Sequence, residues 1–204
     1  MQIIQSPQLN IQSIVESLKQ GKTIVYPTET CYGLGCDATN AQAVEQIYRI
    51  KQRPEKKSLL VIASDIEIMK QYIEWSDTLD SISKKYWPGP LTVIVPAKNE
   101  VILPKGIISD EGTIAFRITS HPAAREICSL FGLPLVSTSA NISGGENLYT
   151  SSDIVKIFGN EKYQPDYLID AGELVKQKPS TIIALKNGKI KVIRQGEVEI
   201  LGEY

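Results

Sequence analysis

Apolar residues recur along this chain in two rhythms, and the changes of rhythm mark its elements. Ile11, Ile14, Val15 and Leu18 follow Asn10 at helical spacing and stop at Gly21, which predicts a capped amphipathic helix. Residues 23–26 are a β-branched run ending in an aromatic residue, with the composition of a buried strand. Pro27 cannot donate to a ladder and so marks that strand's end. Asn40 then precedes Ala43, Val44, Ile47 and Ile50, a second helix. It must stop near Gln52 or Arg53, because proline (here Pro54) disfavours the α region for the residue before it. Residues 59–63 close the unit as another buried strand. Between the first strand and the second helix, residues 28–35 read as a turn rich in hydroxyls and bare backbone.

The rest of the chain continues the alternation. Ile3, Ile4 and Gln5 form an edge strand. Ile66, Met69 and Ile73 mark a short helix over 65–72, and Leu79, Ile82 and Tyr86 a second over 77–86. Trp87-Pro88-Gly89-Pro90 is a rigid turn feeding a strand at 91–96, and residues 98–112 are an irregular polar loop. Residues 113–118 alternate, so Thr113 and Arg117, four apart, share one face. Pro122 opens a helix through Ala123, Ile127, Leu130 and Phe131. A strand at 133–137 runs into the turn 138–145, and Ser151 or Ser152 caps a helix holding Ile154, Val155 and Phe158. Three further strands fall at 166–170, 181–185 and 190–194. The pattern predicts an α/β fold with a twisted mixed sheet.

Composition narrows the function classes. Twenty-two basic against 23 acidic residues give a formal net charge of −1, which argues against coating nucleic acid by bulk charge and leaves room for a local basic cleft. Three cysteines, Cys31, Cys36 and Cys128, lack metal-ligand spacing and cannot complete a disulfide framework. No apolar run approaches the ~18 residues of a membrane span, and the N-terminus lacks the basic and apolar regions of a signal peptide. The expectation is a cytoplasmic protein with no membrane partner.

Several chemistries are missing. His121 is the only histidine, placed before Pro122 where capping or packing explains it, so no His-centred triad is indicated. The P-loop pattern is absent, and Gly33-Leu34-Gly35 lacks the third glycine of a dinucleotide fingerprint. What remains is a set of cations and hydroxyls at strand ends. Lys51, Arg53, Lys56 and Lys57 fall within seven residues. Complementing a helix dipole, worth ~0.3–1 kcal/mol per cation, covers Lys51 but not the other three. Thr28 and Thr30 follow one strand, Arg117 lies in another, and Ser137, Ser139 and Asn141 end a third. Singly, turn hydroxyls satisfy backbone groups and arginines sit in weak solvated pairs. Jointly they predict a cleft for an anionic, polar substrate such as a nucleotide. Chemistry without a protein nucleophile fits phosphoryl or nucleotidyl transfer, where positioning and charge stabilisation do most of the catalysis.

These residues together resemble the YrdC-type threonylcarbamoyl-AMP synthases over nearly the whole chain. Residues 26–35, YPTETCYGLG, are similar to the family's first signature. Lys51-Gln52-Arg53 is similar to its K-x-R element and Ser139-Ala140-Asn141 to its S-x-N element. Residues 87–92 (WPGPLT) and Arg117 with His121-Pro122 add to the match. The resemblance implies a single domain over residues 1–204, with a twisted open mixed β-sheet, flanking helices and a large concave, positively charged groove. It implies a reaction in which L-threonine, bicarbonate and ATP, with Mg²⁺, give threonylcarbamoyl-AMP and pyrophosphate. The product feeds a threonylcarbamoyl transferase that modifies adenosine beside the anticodon of tRNA. Carried over by position, Thr28, Arg117, Ser137 and Ser180 face threonine. Lys51, Arg53, Lys57, Thr113, Ser139, Asn141 and Arg194 face ATP, with Lys51 and Arg53 offsetting charge on the phosphates.

Two departures stand out: Ile62 occupies a strand position where some members have histidine, and longer members add a C-terminal domain. A sister group lacks an intact K-x-R and S-x-N, and this chain keeps both. The same groove admits two other readings. One is a non-catalytic module for double-stranded RNA or tRNA. The other is a carbamoyltransferase making carbamoyl-adenylate from carbamoyl phosphate.

Overall fold

A computed structural model describes residues 1–5, 9–186 and 188–200 of the chain. Its strands are β1 (Gln2–Gln5), β2 (Ile24–Pro27), β3 (Tyr32–Gly35), β4 (Val61–Ala63), β5 (Leu91–Pro96), β6 (Thr113–Ile118), β7 (Leu135–Val136), β8 (Thr138–Ser139), β9 (Tyr167–Asp170), β10 (Thr181–Lys186) and β11 (Lys189–Arg194). The helices are α1 (Ile11–Lys19), α2 (Ala41–Lys51), α3 (Ile66–Lys70), α4 (Asp77–Tyr86), α5 (Pro122–Phe131) and α6 (Ser151–Phe158). None of the described helices is long and apolar enough to cross a membrane.

The expected twisted mixed sheet with flanking helices is realised as two sheets. One runs β1-β9-β2-β3-β8 and the other β11-β10-β5-β6-β4-β7, each with parallel and antiparallel pairs. The segment 135–139 belongs to both. Its first half, β7, pairs antiparallel with β4, and its second half, β8, pairs antiparallel with β3. Ser137 is the crossing point, with its N–H donated to Leu60 O while Val136 N–H goes to Cys36 O.

Two apolar cores flank this junction. Ile24 and Tyr26 of β2, with Ile62 of β4, pack with α1 and α5 through Ile14, Val15, Leu18, Ile127 and Phe131. Val25 of β2, with Val61 and Ala63 of β4, turns to the larger core built by α2, α4, α6, β5 and β6. Strands buried on both faces read as continuous apolar runs instead of alternating ones, which is the pattern of residues 23–26 and 59–63.

Several local expectations shift. Tyr32–Gly35, read from sequence as turn, is strand β3, paired antiparallel with β2. Only residues 28–31 turn. The buried face of α5 is Ala124, Ile127, Cys128 and Phe131, while Leu130 is exposed; small Ala and Cys side chains fill the contact with α1. The cap of α6 is Thr150, whose side chain accepts from Asp153 N, and Val155 faces outward. Asn10, Asn40 and Ser76 cap α1, α2 and α4 through their side chains.

Candidate active site

Between the sheets lies a cavity of about 740 Å³, within the ~300–1,000 Å³ usual for small-molecule sites. Its floor follows from period-two alternation on three adjacent strands of the second sheet. Leu91, Val93 and Val95 of β5, Ile114, Phe116 and Ile118 of β6, and Ile183 and Leu185 of β10 go to the core. The intervening Thr92 and Ile94, Thr113, Ala115 and Arg117, and Ile182 and Ala184 line the cavity. The β2–β3 hairpin, the 137–139 crossing, and the loop after α2 supply the walls.

The hairpin tip is held from within. Thr28 Oγ1 donates to Cys31 O at 2.6 Å and accepts from the Thr30 and Cys31 N–H groups. Thr28 therefore lines the cavity with its hydroxyl proton already committed. The glycines of β3 permit close approach of the junction. A Cβ at Gly35 would lie 2.2 Å from Val136 O, and one at Gly33 3.0 Å from Thr28 Cγ2 and 3.5 Å from Ser137 Oγ.

The two short motifs meet. Lys51, last residue of α2 and 1% exposed, sends Nζ to Ser139 O (2.5 Å), Asn141 O (2.8 Å) and Asn141 Oδ1 (2.8 Å). Asn141 Oδ1 also accepts from Ser139 Oγ, and its Nδ2 donates to Gly145 O and Glu146 O. Three ammonium protons meet three acceptors, which favours the charged form. Burial, assisted by Arg53, pulls the other way and draws the Lys51 pKa down to about 7. Lys51 and Asn141 thus build the turn that presents Ser139, and only Ser139 of the three lines the cavity.

After α2, Arg53 lines the cavity and braces its own loop, with Nε donating to Lys57 O at 3.0 Å and Nη2 to Ser58 O at 2.8 Å. Lys57 uses its carbonyl in this brace, and Lys56 is the lysine on the cavity wall. Asp110 and Glu111 also line it, so the walls carry both signs.

At the end of β10, Ser180 Oγ lies 3.0 Å from Thr92 Oγ1, and Arg194 donates to Ser180 O through Nε (3.1 Å) and Nη2 (2.7 Å). Arg194 crosses from β11 to β10 and faces the cavity. Arg117 on β6 is buried, with Nε 3.0 Å from Glu29 Oε1. Glu29 Oε2 accepts from Thr119 Oγ1 at 2.8 Å. The Nη atoms of Arg117 have no hydrogen-bond partner among the described residues, and the side chain lines the cavity. His121 precedes α5 without a side-chain capping bond, and its Nδ1 is buried without a hydrogen-bond partner among the described residues. Burial lowers its pKa, with Glu29 acting in the opposite sense.

Of the residues singled out from sequence, Thr28, Thr30, Arg53, Lys56, Thr113, Arg117, Ser137, Ser139, Ser180 and Arg194 line this one cavity; Lys51, Asn141 and Lys57 do not. Sequence reasoning missed Glu29 and Thr92, and it counted Lys56 in the cation cluster without assigning it to ATP. The face rule that paired Thr113 with Arg117 applies equally to residues 91–96 and places Thr92 and Ile94 together. Glu29 gave no such signal, because its partner is reached only in three dimensions.

A family model described as telomere recombination, covering Sua5, YciO and YrdC, matches residues 16–196. A threonylcarbamoyl-AMP synthase of Pseudoalteromonas translucida (strain TAC 125) is 38% identical over 190 residues, covering 91% of this chain and 98% of that protein. The crystal structure of P. abyssi Sua5 complexed with L-threonine superposes with a TM-score of 0.87 at 28% identity. The match covers 96% of this chain and 58% of that one, so the chain spans little more than half of Sua5. The E. coli YciO structure gives a TM-score of 0.80 at 29% identity, with 96% and 94% covered.

Proposed function

Because the chain belongs to the Sua5/YciO/YrdC family, we propose that it is a threonylcarbamoyl-AMP synthase. The observation that carries this reading is one cavity in which the unpaired edge of a buried arginine, Arg117, shares the space with Arg53, Lys56 and Ser139. A fork for a carboxylate and cations for phosphates are what an amino acid and ATP need together.

The reaction joins threonine, bicarbonate and ATP. The threonine amine bonds to the bicarbonate carbon and water leaves, giving a carbamate. A carbamate oxygen then bonds to the α-phosphorus as the bond to pyrophosphate breaks. No protein nucleophile is required, so the side chains act by orientation and charge. Arg117 holds the threonine carboxylate, with Ser137, Ser180 and the Thr28 turn around the amino acid. Arg53, Thr113, Ser139 and Arg194 face ATP, and Lys51 with Asn141 acts through the turn they build. Lys56 takes the place on the cavity wall that sequence position gave to Lys57.

No cluster of three metal-ligating side chains lies among the described residues. Mg²⁺ would accompany ATP as the counter-ion of its phosphates. The product is a mixed anhydride, and its consumer is a transferase acting on tRNA adenosine.

Pyrophosphate release from ATP tests the assignment. Release that requires both threonine and bicarbonate is expected. Release that carbamoyl phosphate supports instead, or salt-sensitive RNA binding without turnover, would replace this reading with one of the two alternatives.

A further inference from the structure

We infer that Glu29 is a positioning residue for threonine: its carboxylate holds the Nε side of the Arg117 guanidinium by charge and leaves the Nη atoms for a ligand in the cavity. This rests on the reading of the cavity as a threonine and ATP site. Glu29 stands at the tip of the β2–β3 hairpin, in the first sheet, while Arg117 belongs to β6 in the second. Their side chains are 12% and 5% exposed, with Oε1 and Nε 3.0 Å apart.

A guanidinium is planar and carries five N–H groups in a fixed fork. Glu29 Oε1, 3.0 Å from Nε, holds that side of the guanidinium by charge, while the Nη atoms make no hydrogen bond among the described residues. Glu29 is itself fixed, since its second oxygen takes the Thr119 hydroxyl proton at 2.8 Å. Thr119 Oγ1 also accepts from His121 N, which ties the hydroxyl to the start of α5. The order of constraint runs from α5 through Thr119 and Glu29 to Arg117, and ends at two Nη atoms with no partner among the described residues.

The Glu29–Arg117 contact is close but not aligned as a hydrogen bond, because both atoms are buried without a directed partner. Arg117 is thus held here chiefly by charge, and its fork is completed only when a second carboxylate meets its outer edge. Nothing about ATP enters this chain of contacts. A structural ion pair between two sheets would support both ligands alike, whereas a positioning pair affects only the ligand that Arg117 grips.

Glu29→Gln, which keeps shape and removes charge, should raise the KM and calorimetric Kd for threonine at least tenfold. It should leave the ATP Kd within about twofold and kcat at saturating threonine within about threefold. Glu29→Asp, which restores the charge, should recover part of the threonine affinity. In an Arg117→Lys background, Glu29→Gln should add little further loss. Unchanged threonine affinity in Glu29→Gln, or equal loss for threonine and ATP, overturns the inference. If Glu29→Gln does not fold, Thr119→Val provides the same test, with a smaller selective loss expected and no loss overturning it. A wild-type protein that binds no threonine refutes the cavity reading itself, and the inference falls with it. Wild-type binding that Glu29→Gln leaves intact refutes the inference alone.

Discussion

Lys51 Nζ donates to Asn141 Oδ1 over 2.8 Å, so two short motifs 90 residues apart in the chain form one structural unit. The lysine ends a helix, the asparagine follows the strand that crosses between sheets, and the contact fixes the turn bearing Ser139. Removing the ammonium leaves buried Asn141 O without its lysine donor, which costs about 1–3 kcal/mol. It also takes one of two donors each from Asn141 Oδ1, which keeps Ser139 Oγ, and Ser139 O, which keeps Asn141 N–H. Lys51→Met should therefore lower unfolding free energy by roughly 3 kcal/mol, and Asn141→Ala by a comparable amount. Because they dismantle the same unit, the double variant should fall short of the sum by ~0.5–3 kcal/mol. Urea titration of the four proteins measures this, and strict additivity would contradict the coupling.

Gly35 carries a second, purely steric prediction. Its missing Cβ leaves room for Val136 O and the Tyr26 ring, which a methyl would meet at 2.2 and 2.9 Å. The obstacle is backbone, which cannot rotate aside, so Gly35→Ala should destabilise by ~1–3 kcal/mol or more. Gly33→Ala meets a side-chain methyl of Thr28 at 3.0 Å and lines the cavity, so it should cost less stability and narrow the site. Thermal unfolding of both should rank Gly35→Ala as the less stable protein; the reverse order would show that the junction yields.

These two positions show where the sequence is readable and where it stops being so. Asn40, Pro27 and Pro54 act on their immediate neighbours, so the ends of β2 and α2 can be placed from residues alone. Alternation in 113–118 likewise put Thr113 and Arg117 on the cavity face. Tyr32–Gly35 escaped because its glycines are demanded by partners at positions 136–139, not by local turn geometry. The division into two sheets escaped for the same reason, since Ser137 changes partners through pairings far along the chain. On α5, Leu130 outranks Ala124 and Cys128 in hydrophobicity, yet close packing against α1 selects the small residues. The resemblance supplied Ser180 and Arg194, which no local pattern marks.

Lys51 also makes stability depend on pH. Its ammonium titrates near 7 in the folded protein against an ordinary 10.5. Between those values the unfolded chain holds a proton that the folded chain lacks, so unfolding free energy rises with pH. The slope approaches ~1.4 kcal/mol per unit in mid-window and vanishes below about 7, where both states are protonated. In the same window a neutral amine offers two protons to three acceptors, so the Ser139 turn loosens and nucleotide affinity declines. The difference in unfolding free energy between wild type and Lys51→Met, followed from neutral to alkaline pH, should grow with pH. A flat difference would show that the three acceptors hold the ammonium charged.

Arg53 and Arg117 provide the sharpest separation of roles. Both line one cavity, but Arg53 is anchored to the carbonyls of its own loop and Arg117 to a carboxylate. If the first faces phosphates and the second an amino-acid carboxylate, their variants must fail in opposite ways. Arg53→Ala removes a charge-assisted contact worth ~1.5–3 kcal/mol, which is tenfold or more in affinity. That loss should appear for ATP with threonine binding nearly intact. Arg117→Lys keeps the charge and loses the planar fork, which an ammonium cannot reproduce. It should raise the threonine requirement by a similar factor with ATP affinity nearly unchanged. Calorimetric titration of both ligands into both folded variants gives four numbers. The crossed pattern supports two subsites within one cavity. Parallel losses in both variants would mean that the arginines hold the sheets together instead of gripping separate substrates.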